Sequence, residues 1–241
     1  MNGHLDETRR YYDDFARDYD RPRHEGYHAL IDDLSVDIVT PLARGRRVLE
    51  VGCGTGLLLS RIAAVADQAV GVDLSPGMLA HARERGLEVV EGSATALPFE
   101  DASFDTVYSF KVLAHVEPIE VALREAARVV RPGGHVVIDV YNRWSLRYLA
   151  RRVAGARAIG RAHREDDIVT RWDSPPEAIA RLPESLTVES VAGVRVVTPA
   201  ARVHALPVVG PVFARAERAS LRSPLRWLGG FLVLVLRRGC E

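Results

Sequence analysis

The chain has almost no cysteine: Cys53 and Cys240 are the only two in 241 residues. That excludes a disulfide framework, and it excludes a zinc site built from cysteine clusters. Two thiols in a chain this long fit a reducing compartment, so a cytoplasmic location is expected. Met1 to Asp20 is polar and has no apolar h-region, and no secretory signal is read there. Neither charge is in excess, since 32 basic side chains face 32 acidic ones. A general nucleic-acid binder is therefore not expected. Long apolar runs are missing too. The most apolar stretch, Leu228 to Leu236, is bounded by Arg226 and Arg237. A bilayer span needs about 20 such residues, so this run reads as a buried strand and no transmembrane segment is expected. Lysine is the scarcest charge: Lys111 stands alone beside 31 arginines.

What the chain does have is apolar material, 47% of residues, enough to bury one substantial core with a modest cap. No repeat is visible. Residues 1–45 are polar and helical in texture, with aromatics from Tyr11 to Tyr27 spaced through them. Residues 46–141 alternate short apolar runs with helical ones. Strands are predicted at Arg47–Val51, Gln68–Asp73, Leu87–Glu91, Phe104–Phe110 and His135–Tyr141. Helices are predicted at Leu57–Val65, after a Ser75 cap to about Arg85, and at Ile119–Val130, ended by Arg131-Pro132-Gly133-Gly134. Thr187–Val197 and Phe231–Arg238 read as two further strands, with a helix near Val212–Leu221 between them. Strands separated by helices of this length predict βαβ units and an α/β, doubly wound, Rossmann-like sheet.

The first strand runs into Glu50-Val51-Gly52-Cys53-Gly54-Thr55-Gly56. Glycines at such a turn let a ligand approach the backbone, and the amides of the following helix face it. Asp73 closes the next strand, where a carboxylate can accept from both hydroxyls of a ribose. Dinucleotide enzymes favour G-x-G-x-x-G, whereas Leu57 occupies the third glycine position of that pattern here. Glu50, two residues before the loop, would repel a pyrophosphate and attract an ammonium or sulfonium group. That favours S-adenosylmethionine over a dinucleotide.

Several further segments agree in order and spacing. Val48 to Gly56 (VLEVGCGTG), Gly71 to Ser75 (GVDLS), Glu91 to Tyr108, Leu113 to Val116 (LAHV) and Arg131 to Gly134 (RPGG) together cover residues 48–141. They resemble the core of a class I S-adenosylmethionine-dependent methyltransferase of the small-molecule type. The resemblance implies a seven-stranded, mostly parallel sheet, with S-adenosylmethionine as methyl donor and S-adenosylhomocysteine as product. It places Gly52, Cys53, Gly54 and Gly56 beside the methionine and ribose, with Glu50 orienting the loop. It gives the ribose to Asp73 and the adenine to Leu74, Met78, Ser93, Ala94 and Leu97. Phe110 and Lys111 would border the methionine end. Ser93 departs from the aspartate often found there, so its contact to the adenine amine lacks charge assistance.

Methyl transfer from a sulfonium is an in-line displacement with an activated leaving group, so placement supplies much of the rate. A base is needed only if the acceptor must shed a proton. His115, following the fourth strand on the ligand-binding face, is the candidate base, against a purely structural histidine. Tyr141 and Asn142, just past the fifth strand, are candidates for the acceptor pocket. Tyr11 and Tyr19 lie in a segment resembling the lids of these enzymes, Tyr19 toward the cofactor and Tyr11 toward the acceptor. His24, Glu25 and His28 lack a metal-binding pattern, and no metal site is expected.

Eight arginines fall between Arg143 and Arg171, opposed by Glu165, Asp166 and Asp167. Arg143, Arg147 and Arg151 share one helical face. They suit an acidic acceptor or an anionic membrane surface, or else form a solvated cap helix. The expected organisation is one domain over 1–241: a helical lid (1–45), a cofactor-binding core (46–141), an inserted cap (142–182) and C-terminal strands with a helix (183–241). The expected function is methyl transfer to an oxygen, nitrogen or carbon of a small molecule, including a natural product or acidic metabolite. The alternatives are a non-catalytic scaffold that binds S-adenosylmethionine or a nucleotide, and an NAD-type oxidoreductase. No nucleic-acid partner is expected, while peripheral membrane contact stays open.

Overall fold

A computed structural model describes residues 9–13, 16, 20, 26–154, 158–159, 163–164 and 170–240. The strands are β1 (Arg47–Val51), β2 (Gln68–Asp73), β3 (Glu88–Glu91), β4 (Phe104–Ser109), β5 (Val130–Tyr141), β6 (Ala158–Ile159), β7 (His163–Arg164), β8 (Leu186–Val194) and β9 (Phe231–Arg238). The α-helices are α1 (Gly26–Ala43), α2 (Leu57–Ala63), α3 (Pro76–Glu84), α4 (Ile119–Val129), α5 (Leu146–Ala154), α6 (Pro175–Ala180) and α7 (Val209–Ser220).

Seven strands form one sheet in the order β3-β2-β1-β4-β5-β9-β8, and β6 pairs separately with β7. The first five are parallel. β9 runs antiparallel to both of its neighbours. The expected doubly wound sheet is therefore present, with one reversed strand. Chain order changes direction between β1 and β4, and open α/β sheets bind ligands in the crevice at such a point.

The pleat divides the core into two faces. Leu49, Val51, Val136, Ile138, Leu232 and Leu234 pack with α4 on one side. Val48, Val137, Phe231, Val233 and Val235 pack with α1 and α2 on the other. This alternation is the period of two that a strand imposes. β9 lies between β5 and β8, and both of its faces are covered, Leu232, Leu234 and Leu236 by one core layer and Phe231, Val233 and Val235 by the other. Its unbroken apolar run follows from that burial. α4 presents Ala122, Leu123, Ala126 and Ala127 inward, the spacing of one helical face.

Local signals set most boundaries. The Ser75 hydroxyl accepts from the Met78 amide at 3.1 Å, and Pro76 opens α3. Two of the boundaries that differ from expectation have a plain local cause. The Arg131–Gly134 turn lies inside β5, because Val130 already pairs with Phe104 before the register breaks. Gly133 there has φ +72°, and a Cβ on Gly134 would lie 2.6 Å from the Asp105 carbonyl oxygen. β8 stops at Val194 rather than Val197, because Arg195 takes a left-handed φ of +61°. The next three amides turn to the buried Glu217 carboxylate, which accepts from Val196, Val197 and Thr198. Among the described residues, no helix is long and apolar enough to cross a membrane.

Candidate functional site

The cavity lies where the carboxyl ends of β1, β2 and β4 meet. Its volume is about 130 Å³ and its lining includes Gly52, Gly54, Asp73, Leu74, Met78 and Ser93. Ala94, Phe110, Lys111 and His115 complete the expected part of the wall. Residues from five stretches of sequence, at 12, 52–54, 72–78, 92–94 and 110–117, thus meet in one space. Gly52 is required twice over: its φ is +76°, and a Cβ there would lie 2.3 Å from Val112 Cγ2.

Asp73 organises the rim. One carboxylate oxygen accepts from the Gly54 amide at 2.8 Å and the other from the Ser75 amide at 2.9 Å. Burial raises the Asp73 pKa from its ordinary value, while the Ser75, Gly54 and Leu74 amides pull it back. The same carboxylate therefore shapes the glycine loop and faces the cavity.

Glu50 lies deeper, 4% exposed, beside a small adjoining pocket that it shares with Cys53, Thr55, Phe110 and Lys111. The Tyr108 hydroxyl donates to its Oε2 at 3.0 Å. Burial pushes the Glu50 pKa up to about 8, against the Tyr108 hydrogen bond and with the help of nearby Asp73. Burial thus favours the protonated carboxyl and works against the standing negative charge expected beside the loop. Cys53 is buried by the loop with its thiol pKa pushed up, chiefly by desolvation.

Lys111 occupies a left-handed turn (φ +61°) past β4. Its amide donates to Asp139 at 2.7 Å, and its ammonium meets Asp32 of α1 at 2.6 Å. Burial raises Asp139 to about 6, tempered by the Lys111 amide and charge. The lone lysine is thus ion-paired across the cavity wall.

His115 also lines the cavity. Its Nε2 is 3.5 Å from the Tyr141 hydroxyl and its Nδ1 is 3.4 Å from Thr170 Oγ1. The two rings meet edge to face, with centroids 5.6 Å apart. Arg147 stacks over Tyr141, Trp172 and Phe231 at 4.6 to 5.0 Å. Burial pushes the Tyr141 pKa up to about 12, against the nearby Arg147 charge, so its phenol is a neutral donor at physiological pH.

Other expectations need correction. Asn142 is fully buried, and its amide nitrogen donates to the Trp227 and Gly229 carbonyls. Its Oδ1 accepts from the Trp144 amide, so it ties the chain after β5 to the segment before β9 and does not line the cavity. Arg143 points outward and pairs with Glu177. Leu97 belongs to the main core and is absent from the cavity wall. Ser93 lines the cavity, but its hydroxyl is engaged with Thr95 Oγ1 at 2.8 Å. Tyr11 packs edge-on against Tyr12, and Tyr12 is the one that lines the cavity. Tyr19 falls outside the described residues. Among the described residues no cluster fit for a metal is found.

Sequence reading also missed residues. Asp13 accepts from the Gly77 amide at 2.9 Å and from the Ser75 hydroxyl, tying the N-terminal segment to the start of α3. Asp20 accepts from Thr55 Oγ1 at 2.7 Å and pairs with Arg85. Burial raises the Asp20 pKa, but these hydrogen bonds outweigh it and hold the carboxyl below its ordinary value. The signal available for both was an acidic residue in a helical, aromatic-rich leader, which by itself names no partner.

The methyltransferase domain family matches residues 49–138. The chain is 34% identical over 138 residues to a ubiquinone biosynthesis O-methyltransferase of Azorhizobium caulinodans, covering 53% of this chain and 54% of that one. It is 38% identical over 107 residues to a probable S-adenosylmethionine-dependent methyltransferase of Mycobacterium tuberculosis, covering 44% of this chain and 39% of that one. The chain spans about half the length, or less, of these curated relatives. A solved S-adenosylmethionine-dependent methyltransferase from Thermotoga maritima, a possible histamine N-methyltransferase, superposes with a TM-score of 0.70. That match covers 94% of this chain and 98% of the other at 21% identity, a likeness of fold.

Proposed function

We infer that this chain, whose residues 49–138 belong to the class I S-adenosylmethionine-dependent methyltransferase family, transfers a methyl group from S-adenosylmethionine to a small-molecule acceptor. One observation carries the reading: Asp73, the glycine backbone and the apolar Leu74 and Met78 share a single cavity wall. That set fits the cofactor, with a carboxylate for the ribose, an apolar wall for the base and glycines for close approach.

Asp73 is assigned to the ribose hydroxyls. Leu74, Met78, Ser93 and Ala94 are assigned to the adenine, and Gly52, Gly54, Gly56, Phe110 and Lys111 to the methionine end. Cys53 contributes through its backbone. Glu50 is assigned to the cofactor's ammonium group, and a cation there stabilises its ionised form. When bound, the cofactor supplies a methyl group on an activated sulfonium. The chain then has to hold an acceptor near His115 and keep water out. His115 is assigned as the base for an acceptor that carries a proton, with Tyr141 and Thr170 orienting its ring. The Azorhizobium relative is named for O-methylation in ubiquinone biosynthesis, which favours an oxygen acceptor here.

The test is mass-spectrometric detection of S-adenosylhomocysteine from the purified chain, S-adenosylmethionine and a panel of phenols, quinols, carboxylic acids and amines. The reading expects acceptor-dependent S-adenosylhomocysteine and a product heavier by one methylene. Cofactor binding without turnover on any acceptor class would instead favour the scaffold alternative.

A further inference from the structure

The described part of the molecule is unevenly apolar on its outside. Ten large apolar side chains are exposed, among them Trp144, Leu146, Leu149, Leu206, Val208 and Val212. All ten fall within two connections, residues 142–180 and 195–230. Topology starts both at the same end of the sheet. β5 and β8 point the same way, and β9 is antiparallel to each. The chain therefore leaves β5, leaves β8 and enters β9 at the carboxyl end of the sheet, where the cavity lies.

The two connections also touch. Trp144, Pro176 and Ile179 from the first line one surface groove with Pro224, Trp227 and Leu228 from the second. Exposed apolar side chains grouped on two neighbouring connections can mark a surface that contacts a partner or a membrane.

Charge identifies what covers it. Residues 142–154, 170–180 and 195–230 carry 11 arginines against three acidic residues, an excess of eight positive charges in a chain whose total is zero. Of the three acids, Asp173 and Glu217 are buried and Glu177 is paired with Arg143, while Arg171 pairs with Glu117 and Arg218 with Asp33 and Asp37 from outside these segments. Arg152, Arg202, Arg215 and Arg222 are exposed on these same segments. Apolar side chains interspersed with arginines are the pattern of a surface that enters a bilayer interface and draws in anionic headgroups. A second protein copy would bring the same positive excess against itself, which argues against self-association.

We propose that this face docks onto an anionic phospholipid bilayer as a peripheral contact. The cavity then opens toward the lipid, and an apolar acceptor dissolved there enters beside His115. That last step rests on the methyl-transfer reading, whereas the docking does not.

The experiment is co-sedimentation of the full chain with large vesicles, in the absence of S-adenosylmethionine. One set contains phosphatidylcholine alone and the other an equal mixture with phosphatidylglycerol. The proposal expects at least about tenfold more bound protein on the anionic vesicles at low salt, falling sharply at high salt. The double variant Leu146→Asp, Leu149→Asp should lose most of that binding, as should Arg202→Glu with Arg222→Glu. Both variants should keep the melting temperature and calorimetric cofactor affinity of the parent, because neither site touches the core or the cavity. Equal sedimentation with both vesicle types, or variants that bind like the parent, would overturn the proposal. So would a concentration-dependent dimer in sedimentation equilibrium that the same substitutions dissolve. Cofactor binding is read separately, so failure of docking is distinguishable from failure of the methyltransferase reading.

Discussion

Asp73 carries two duties, and substitutions separate them. Asp73→Ala removes the acceptor for the Gly54 and Ser75 amides as well as the ribose contact, whereas Asp73→Asn keeps one acceptor oxygen in place. Hydrogen bonds to charged groups contribute roughly 1.5–3 kcal/mol, so Asp73→Ala should weaken S-adenosylmethionine binding by about ten- to hundredfold, with Asp73→Asn in between. Calorimetry of the two variants checks this order. Glu50 makes a pH prediction. Its folded pKa, about 8, lies above the ordinary 4.5, so the folded state holds a proton that the unfolded state has released. This contribution to stability is fully present below the unfolded value and is lost as pH rises through the folded one. Glu50→Gln should therefore flatten the decline, and urea unfolding at about pH 6 and about pH 9 should show the variant gaining on the parent at the higher pH. An identical pH dependence in parent and variant would contradict the buried, protonated assignment. His115→Ala should lower turnover of a proton-bearing acceptor by about a hundredfold or more while leaving cofactor affinity nearly unchanged. A loss of affinity equal to the loss of rate would make His115 a structural residue.

At the scale of elements, the legible parts of the chain were the contiguous ones. β1, the glycine loop and α2 follow one another directly, so turn chemistry and apolar period announce them together. Ser75 and Pro76 likewise mark the start of α3 within three residues. The contacts that were not legible join distant stretches. Asp13 reaches the amide of Gly77, Lys111 meets Asp32 and Asp139, and Glu217 closes the turn after β8. A carboxylate in sequence carries no address, and the fold supplies one. Asn142 shows the reverse case: its position past β5 pointed to the acceptor pocket, but its amide nitrogen is consumed by the two carbonyls before β9. The element prediction follows from β9, whose apolar residues are covered on both faces. Leu234→Ala should cost about 2–5 kcal/mol, because Leu234 is 0% exposed. Denaturant titration would show it, and a cost below about 1 kcal/mol would mean that the strand is not held between two packed layers.

The whole molecule places its functional asymmetry on one end. Among the described residues, Tyr12, the glycine loop and the starts of the connections after β5 and β8 lie at the carboxyl end of the sheet, and the opposite end holds the loops that lead from helices into strands. Fold class and cofactor class were readable because they depend on the contiguous core, residues 48–141. The acceptor depends on the connections, whose surfaces are assembled from segments far apart in sequence, and there only the arginine excess was visible beforehand. The central claim is that the cavity at Asp73 is a sulfonium nucleoside site. Its most direct test is calorimetric titration of the intact chain with S-adenosylmethionine, S-adenosylhomocysteine and NADH in parallel. The account predicts saturable micromolar binding of both sulfur nucleotides, weakened in Asp73→Ala, and no binding of NADH. Binding of NADH alone, or sulfur-nucleotide affinity that Asp73→Ala leaves unchanged, would contradict it.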